Sequence, residues 1–225
     1  MTLIVTGAAG WFGRAFLDLL AQGDPQDVGL VVHHPADVPL VTAAVPWAAV
    51  HVADLTQPGA VADVFAGVRE CEVVHAAGVI HPRSVAQFER VNVDATRNVV
   101  QQALAAGVRR FVHISSNSAI GTNPGPEDVF RDEEPYNPYL GYGRSKMLGE
   151  LAATQVLSEA AIPGVILRPP WFYGRFQPDR QARFLKTVRS GRFPLLGDGS
   201  NRRSMVDVDS LAQAAALALR ADTHG

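Results

Sequence analysis

A tyrosine and a lysine four residues apart, in Tyr142-Gly143-Arg144-Ser145-Lys146, are the side chains whose types and spacing most directly suggest chemistry. On a helix that spacing stacks both on one face. A phenol with an ordinary pKa of about 10 is a poor base at neutral pH, and a cation held beside it favours the phenolate. Tyr142 could then exchange a proton with a substrate hydroxyl. Tyr136 and Tyr139 have no lysine four residues on, and Lys186 is the only other lysine in the chain. The same pair would also serve as a plain contact on a solvated helix.

A second pattern bears on the first. Thr6-Gly7-Ala8-Ala9-Gly10-Trp11-Phe12-Gly13 spaces its glycines as G-x-x-G-x-x-G between a β-branched run and a helical one. Small residues there let the backbone turn sharply and approach a pyrophosphate, whose oxygens the free N–H groups of a helix start attract. Gly7, Gly10, Trp11, Phe12 and Gly13 are therefore candidate dinucleotide contacts; the alternative is an ordinary glycine-rich β–α turn. An oxidised nicotinamide would add a positive charge beside Tyr142 and accept hydride.

About 20 residues beyond the last glycine, where an acid would hold a ribose 2′-hydroxyl, the chain reads Val32-His33-His34-Pro35. Without a carboxylate to repel a 2′-phosphate, the expected cofactor is NAD or NADP with a lean to NADP, although no arginine stands there to bind that phosphate. His33 is a candidate contact. Asp54, with Leu55 beside it, suits an adenine amino group, or equally a carboxylate near the helix that starts at Pro58. Further along, Ile114-Ser115-Ser116-Asn117-Ser118 ends a β-branched run. A hydroxyl there lies where ligands bind parallel sheets and could hydrogen-bond the reacting oxygen. Spacing does not choose among the three serines, which also suit a strand-end turn.

The elements that must position these residues follow from short β-branched runs alternating with longer Ala/Leu-rich stretches. Strands are predicted at 3–5, 28–32, 48–53, 72–76, 110–114 and 164–167. Helices are predicted at 11–22, ended by Gly23-Asp24-Pro25, at 58–66 and at 139–161. Another is predicted at 84–106, where Phe88, Val91, Ala95, Val99 and Ala103 recur at a helical period. Residues 1–168 thus predict an α/β domain, a doubly wound parallel sheet of Rossmann type binding a dinucleotide. From 169 to 225 the pattern loosens, with a helix at 181–190, a turn at Gly197-Asp198-Gly199 and a strand–helix pair at 204–219. A small substrate-binding lobe over the sheet's carboxyl edge is expected there.

Taken together, these residues resemble the extended short-chain dehydrogenase/reductase family, which includes NAD-dependent epimerases and dehydratases. The likeness runs from Leu3 to about Leu219. It includes the glycine turn, the Tyr142–Lys146 pair, Val74-His75-Ala76-Ala77-Gly78, Val91-Asn92-Val93-Asp94-Ala95-Thr96, Leu167-Arg168-Pro169-Pro170-Trp171-Phe172-Tyr173-Gly174 and Arg203 to Asp209. The resemblance implies that Tyr142 is the acid/base and that Lys146 lowers its pKa and holds a nicotinamide ribose. By the same token Ser116, with Ser118 in reserve, supplies the catalytic hydroxyl. It also implies that Ala76, Ala77, Gly78, Asn92 and Pro169 lie along the cofactor, and that Asn117 and Arg203 meet substrate. Nucleotide-sugar 4,6-dehydratases carry Asp-Glu just after the hydroxyl; here Asn117-Ser118 stand there, which counts against dehydration.

The expected activity is therefore a nucleotide-sugar epimerase working by hydride and proton transfer. A net NADP-dependent carbonyl reductase or 3β-hydroxysteroid-dehydrogenase-like enzyme is the alternative, and an idle dinucleotide-binding sensor or scaffold a third. The resemblance also implies a homodimer through helices 84–106 and 139–161. Family members usually continue for several tens of residues past the last helix, so a truncated or unusually short member is expected, with its substrate pocket partly open.

Composition narrows the classes further. The 225 residues are 47% apolar and 19% charged, which excludes a disordered chain or a coiled coil and suits one large α/β domain. A net charge of −2 provides no basic field for nucleic acid or anionic lipid, so neither is an expected partner. The lone Cys71 fits a reducing compartment, and the N-terminal apolar run is too short for a signal core or membrane span; a cytoplasmic location is expected. Seven histidines show no metal-ligand spacing, and no metal is expected.

Overall fold

The computed structural model describes every residue except Pro25, Pro124, Pro126, Asp132, Leu196, Asn201 and residues 222–225. Pro25, part of the predicted breaker after the first helix, lies outside the described residues. Six strands form one sheet: β1 (Thr2–Thr6), β2 (Val28–Val32), β3 (Ala49–Val52), β4 (Cys71–His75), β5 (Val108–Ile114) and β6 (Gly164–Leu167). Every pairing is parallel and the order is β3-β2-β1-β4-β5-β6. This is the doubly wound Rossmann order, and it reverses direction between β1 and β4, where a crevice opens above the carboxyl ends.

Strand side chains alternate between two cores. Leu3, Val5, Leu30, Val74 and Val112 face one with Phe16; Ile4, Val31, Val73 and Phe111 face the other. The fully buried Phe16 and Phe111 each contribute roughly 1.5–3 kcal/mol of burial. The first core is covered by α1 (Trp11–Leu20) and α8 (Val208–Arg220), the second by α3 (Pro58–Val64), α5 (Ala95–Ala105) and α6 (Leu140–Glu159).

Three features depart from the local pattern. The helix predicted at 84–106 forms, but a π-turn at Arg90–Asp94 separates α4 (Val85–Glu89) from α5. A short helix, α2 (Val38–Ala44), preceded by a 3₁₀ turn at Pro35–Asp37, occupies a stretch for which no element is predicted; its prolines sit in the first turns, where a missing N–H costs nothing. Trp171–Tyr173 forms β7, which pairs in parallel with β8 (Met205–Asp207) as a separate two-stranded sheet. Between them α7 (Asp179–Arg189) buries no residue. The segment after Arg168 is thus divided: β7, α7 and β8 stand outside the main sheet. By contrast, Val208, Leu211, Ala212, Ala215 and Ala218 of α8 return to the core shared with α1.

Candidate functional site

The glycine turn connects β1 to α1 over the crevice. Gly7 has φ +69°, and a Cβ there would lie 2.7 Å from the Ala76–Ala77 peptide, so only glycine fits without strain. A Cβ on Gly13 would collide with the carbonyl oxygens of Gly7 and Ala8. Gly10 precedes α1 in an extended conformation without a side-chain cap. The first amides of α1 therefore have no side-chain acceptor, an arrangement suited to an anion.

Beneath the turn, His75 is fully buried between two hydroxyls, with Nδ1 2.7 Å from Thr6 Oγ1 and Nε2 2.9 Å from Thr96 Oγ1. Thr96 donates its own proton to the Asn92 carbonyl and Thr6 accepts from the Ala77 amide. By elimination Nε2–H of His75 donates to Thr96, and Nδ1 accepts from Thr6. Burial, then the nearby Lys146, lowers the His75 pKa to about 3, so the ring is neutral.

Two clefts flank the turn. One, of about 280 Å³, lies past the ends of β2, β3 and β4 and is lined by Gly7, His33, Asp54, Leu55, Ala77 and Gly78 among others. Asp54 already accepts the Thr56 amide at 3.0 Å, an Asx-type turn. The other, of about 530 Å³, lies past β5 and β6. Ser116, Asn117, Tyr142 and Pro169 meet there with Trp11, Ile80, His81, Trp171, Phe172, Arg180, Phe184 and Arg203. A larger cleft of about 650 Å³ between α6 and β6 holds none of the candidate residues.

In the second cleft Ser116 caps a 3₁₀ turn (Asn117–Ala119), accepting the Ser118 amide at 3.2 Å. The Asn117 amide donates to the Pro169 carbonyl at 3.1 Å. Tyr142 lies on the first turn of α6 with its ring 6.0 Å from that of Phe88. Burial holds its phenol above the ordinary value, against the pull of a hydrogen bond from Ser116. Lys146, one turn on, is buried and donates from Nζ to the Ile114 carbonyl at 2.9 Å. Desolvation brings its pKa down to about 8, with the charge of Glu150 acting the other way. The downward pull on the phenol comes from Ser116 and not from Lys146, where it was expected, and burial outweighs it because ionising a phenol away from water is costly.

The structure brings Ser116, Asn117, Tyr142, Trp11, Pro169 and Arg203 into one cleft and Gly7, His33, Asp54, Leu55, Ala77 and Gly78 into the other. Gly10, Phe12, Gly13, Ala76, Asn92 and Lys146 line neither. The Phe12 side chain is buried in the core, stacked on Phe16 at 5.8 Å, which leaves only its backbone toward the turn. Trp11 donates Nε1–H to the Arg175 carbonyl at 2.6 Å and packs on Phe172. Asn92, in the π-turn, spends its amide on the chain: Oδ1 accepts the Val79 amide at 2.8 Å. Its Nδ2 donates to the Val79 carbonyl and to Ser145 Oγ. It shapes the loop after β4. Arg203 lies over the Trp171 ring at 4.6 Å.

Sequence reasoning missed Glu150, fully buried beneath the site and paired with Arg168 at 2.8 Å. Its spacing from Tyr142 and Lys146, four residues and four more, was a signal for the same helix face.

Residues 3–225 match the NAD dependent epimerase/dehydratase family. The uncharacterized protein y4nL of Sinorhizobium fredii is 43% identical over 96% of this chain and 63% of its own length. Sterol demethylase protein B of Methylococcus capsulatus is 32% identical over 94% of this chain and 66% of its own. The chain therefore spans slightly less than two thirds of the length of these relatives. Among solved structures, the dTDP-glucose 4,6-dehydratase DesIV of Streptomyces venezuelae, a double mutant with NAD bound, superposes with a TM-score of 0.84. It is 28% identical, over 98% of this chain and 72% of that one.

Proposed function

The chain belongs to the NAD dependent epimerase/dehydratase family, and from that premise we propose that it binds NAD or NADP and epimerises a nucleotide-linked sugar. The observation that carries the reading is the convergence of Ser116, Tyr142 and Lys146 at the carboxyl end of β5, beside the glycine turn. The residues present fit a dinucleotide: uncapped amides open α1, the turn admits no Cβ at Gly7 or Gly13, and a cleft follows β2 and β3. Gly7, Gly10 and Gly13 would hold the pyrophosphate, with His33, Asp54 and Leu55 toward the adenosine and Ala76 to Gly78 and Pro169 alongside. A bound nicotinamide would supply the acceptor and donor of hydride.

The chain's own groups do the rest. Ser116 Oγ holds the reacting oxygen, and Tyr142 Oη takes and returns its proton. Lys146 keeps donors beyond its bond to Ile114, and these would be available to a ribose hydroxyl. Asn117 and Ser118 offer no carboxylate for elimination, so dehydration is not part of the proposal. Arg203 would meet the diphosphate. The absence of a carboxylate at His33-His34 keeps NADP open beside NAD. We extend the proposal to a cytoplasmic homodimer, to which exposed Val85, Leu104, Leu140 and Leu151 on the helices of 84–106 and 139–161 contribute; a monomer by light scattering would remove the dimer.

A second reading, reduction of an apolar carbonyl compound, is favoured by the ring-rich lining of Trp11, Trp171, Phe172 and Phe184. The experiment is to denature the purified protein, identify any released dinucleotide, and titrate NAD and NADP with a panel of nucleotide sugars. Epimerised sugar without net reduced cofactor is the expected result. Stoichiometric change of the cofactor selects the second reading, and failure to bind either dinucleotide overturns both.

A further inference from the structure

The buried carboxylate beneath the site is tied to three other chain segments. Glu150 lies on the face of α6 that carries Tyr142 and Lys146, at successive intervals of four residues. Its Oε1 accepts from Ser115 Oγ, and its Oε2 accepts from Tyr136 Oη at 2.9 Å. Arg168 grips it through Nη2 at 2.8 Å and Nε at 3.0 Å, with the guanidinium 5.2 Å from the Tyr136 ring centre.

Two of these partners, Ser115 and Arg168, adjoin the candidate site in sequence. Ser115 precedes Ser116, and its amide donates to the Leu167 carbonyl at 2.8 Å. Arg168 precedes Pro169, whose carbonyl holds Asn117. At the end of β5, then, Ile114 is bonded to Lys146, Ser115 to Glu150, Ser116 toward Tyr142 and Asn117 to Pro169. Two of these, to Lys146 and to Glu150, are hydrogen bonds to side chains on one face of α6.

We propose that Glu150 is a positioning residue, holding the carboxyl ends of β5 and β6 in register with α6 and keeping the Lys146 ammonium charged. The proposal rests on the use of Lys146 proposed above. A buried ammonium loses its proton easily unless an opposite charge is held close. On the packed strands, the titratable groups that feel the Lys146 charge are His75 on β4 and His113 on β5; burial holds both neutral, so neither supplies an opposite charge. Arg168 and Tyr136 face Glu150 itself, the guanidinium through a bidentate pair and the phenol through one hydrogen bond. Lys146 pKa is drawn down by desolvation and raised by Glu150, as this arrangement requires.

The chain's two lysines make a direct test possible. With lysine labelled with ¹³C at Cε, NMR of the full chain gives one signal from buried Lys146 and one from exposed Lys186. In the unsubstituted chain Lys146 is expected to titrate at about pH 8. In Glu150→Gln it is expected to titrate at least about one pH unit lower, with Lys186 unmoved. A folded Glu150→Gln protein whose Lys146 titrates as before overturns the proposal. Glu150→Gln leaves the Arg168 guanidinium without its counter-charge, so the double variant Glu150→Gln/Arg168→Met repeats the measurement with no stranded charge. If the double variant also fails to fold, the role is structural and the proposal falls. None of these readouts needs cofactor or substrate, so they stand or fail separately from dinucleotide binding.

Discussion

The two sides of the glycine turn are built on different principles. On the sheet side, β1, β4 and α1 are largely buried, and Thr6, His75, Thr96 and Asn92 form a continuous chain of hydrogen bonds. On the side of residues 169–207, α7 buries nothing and several arginines rest on exposed or half-buried partners. Arg175 bridges Asp18 and Asp209, Arg202 pairs with Glu127, Arg180 contacts His81, and Arg203 covers Trp171. Exposed ion pairs of this kind are worth about 0–1 kcal/mol each, whereas a buried, fully bonded group is held by several neighbours at once. The first region can change little without losing its geometry. The second can exchange side chains at little cost in stability.

Substitutions can break or sharpen that contrast. Tyr142→Phe is expected to lower turnover of an identified substrate by about a thousandfold and to leave dinucleotide affinity as it was. Full activity would move the base elsewhere.

Acid should act through the sheet side. The folded pKa of His75, about 3, lies below its ordinary 6.5, so the unfolded chain binds more protons between those values. The stability that His75 contributes is complete above about pH 6.5 and is lost as pH falls toward 3, at no more than about 1.4 kcal/mol per pH unit. Urea melts across this window check it, and His75→Gln should flatten the slope; a slope unchanged by the substitution would assign it to other groups.

Gly13→Ala should cost about 1–3 kcal/mol of stability from overpacking against the Gly7 carbonyl and abolish dinucleotide binding. Stability equal to the parent would make this region as tolerant as the other. Arg203→Ala is expected to change stability by no more than about 0.5 kcal/mol, with its effect confined to the KM for a diphosphate-bearing substrate. A large loss in the unfolding midpoint would erase the contrast from the opposite side.

Legibility in the sequence followed the range of the interactions. Tyr142 and Lys146 could be paired by eye because four residues is one helical turn, and the glycine turn because its spacing sits between a strand and a helix. Phe12 lies inside the same motif yet turns its ring into the core, since the helix phase after Gly10 points it inward. Asn92 was a candidate cofactor contact by resemblance, but the bonds it makes depend on a π-turn and on Val79, thirteen residues away. Glu150 carried the right spacing and no local sign of burial; its environment is made by Ser115, Tyr136 and Arg168 from three other segments. β7 followed two prolines and pairs only with β8, more than thirty residues later, so no periodicity could announce it.

By itself, the sequence determined the alternation of strands and helices and the family, and it singled out the residues proposed to bind a dinucleotide and move a proton, because each signal depends on contacts within a few residues along the chain. The tertiary structure alone decided their electrical states and the division of the last sixty residues between sheet and surface. A proton's affinity depends on which distant groups exclude water around it. Burial pushes the phenol of Tyr142 up and leaves the ammonium of Lys146 between desolvation and the carboxylate of Glu150.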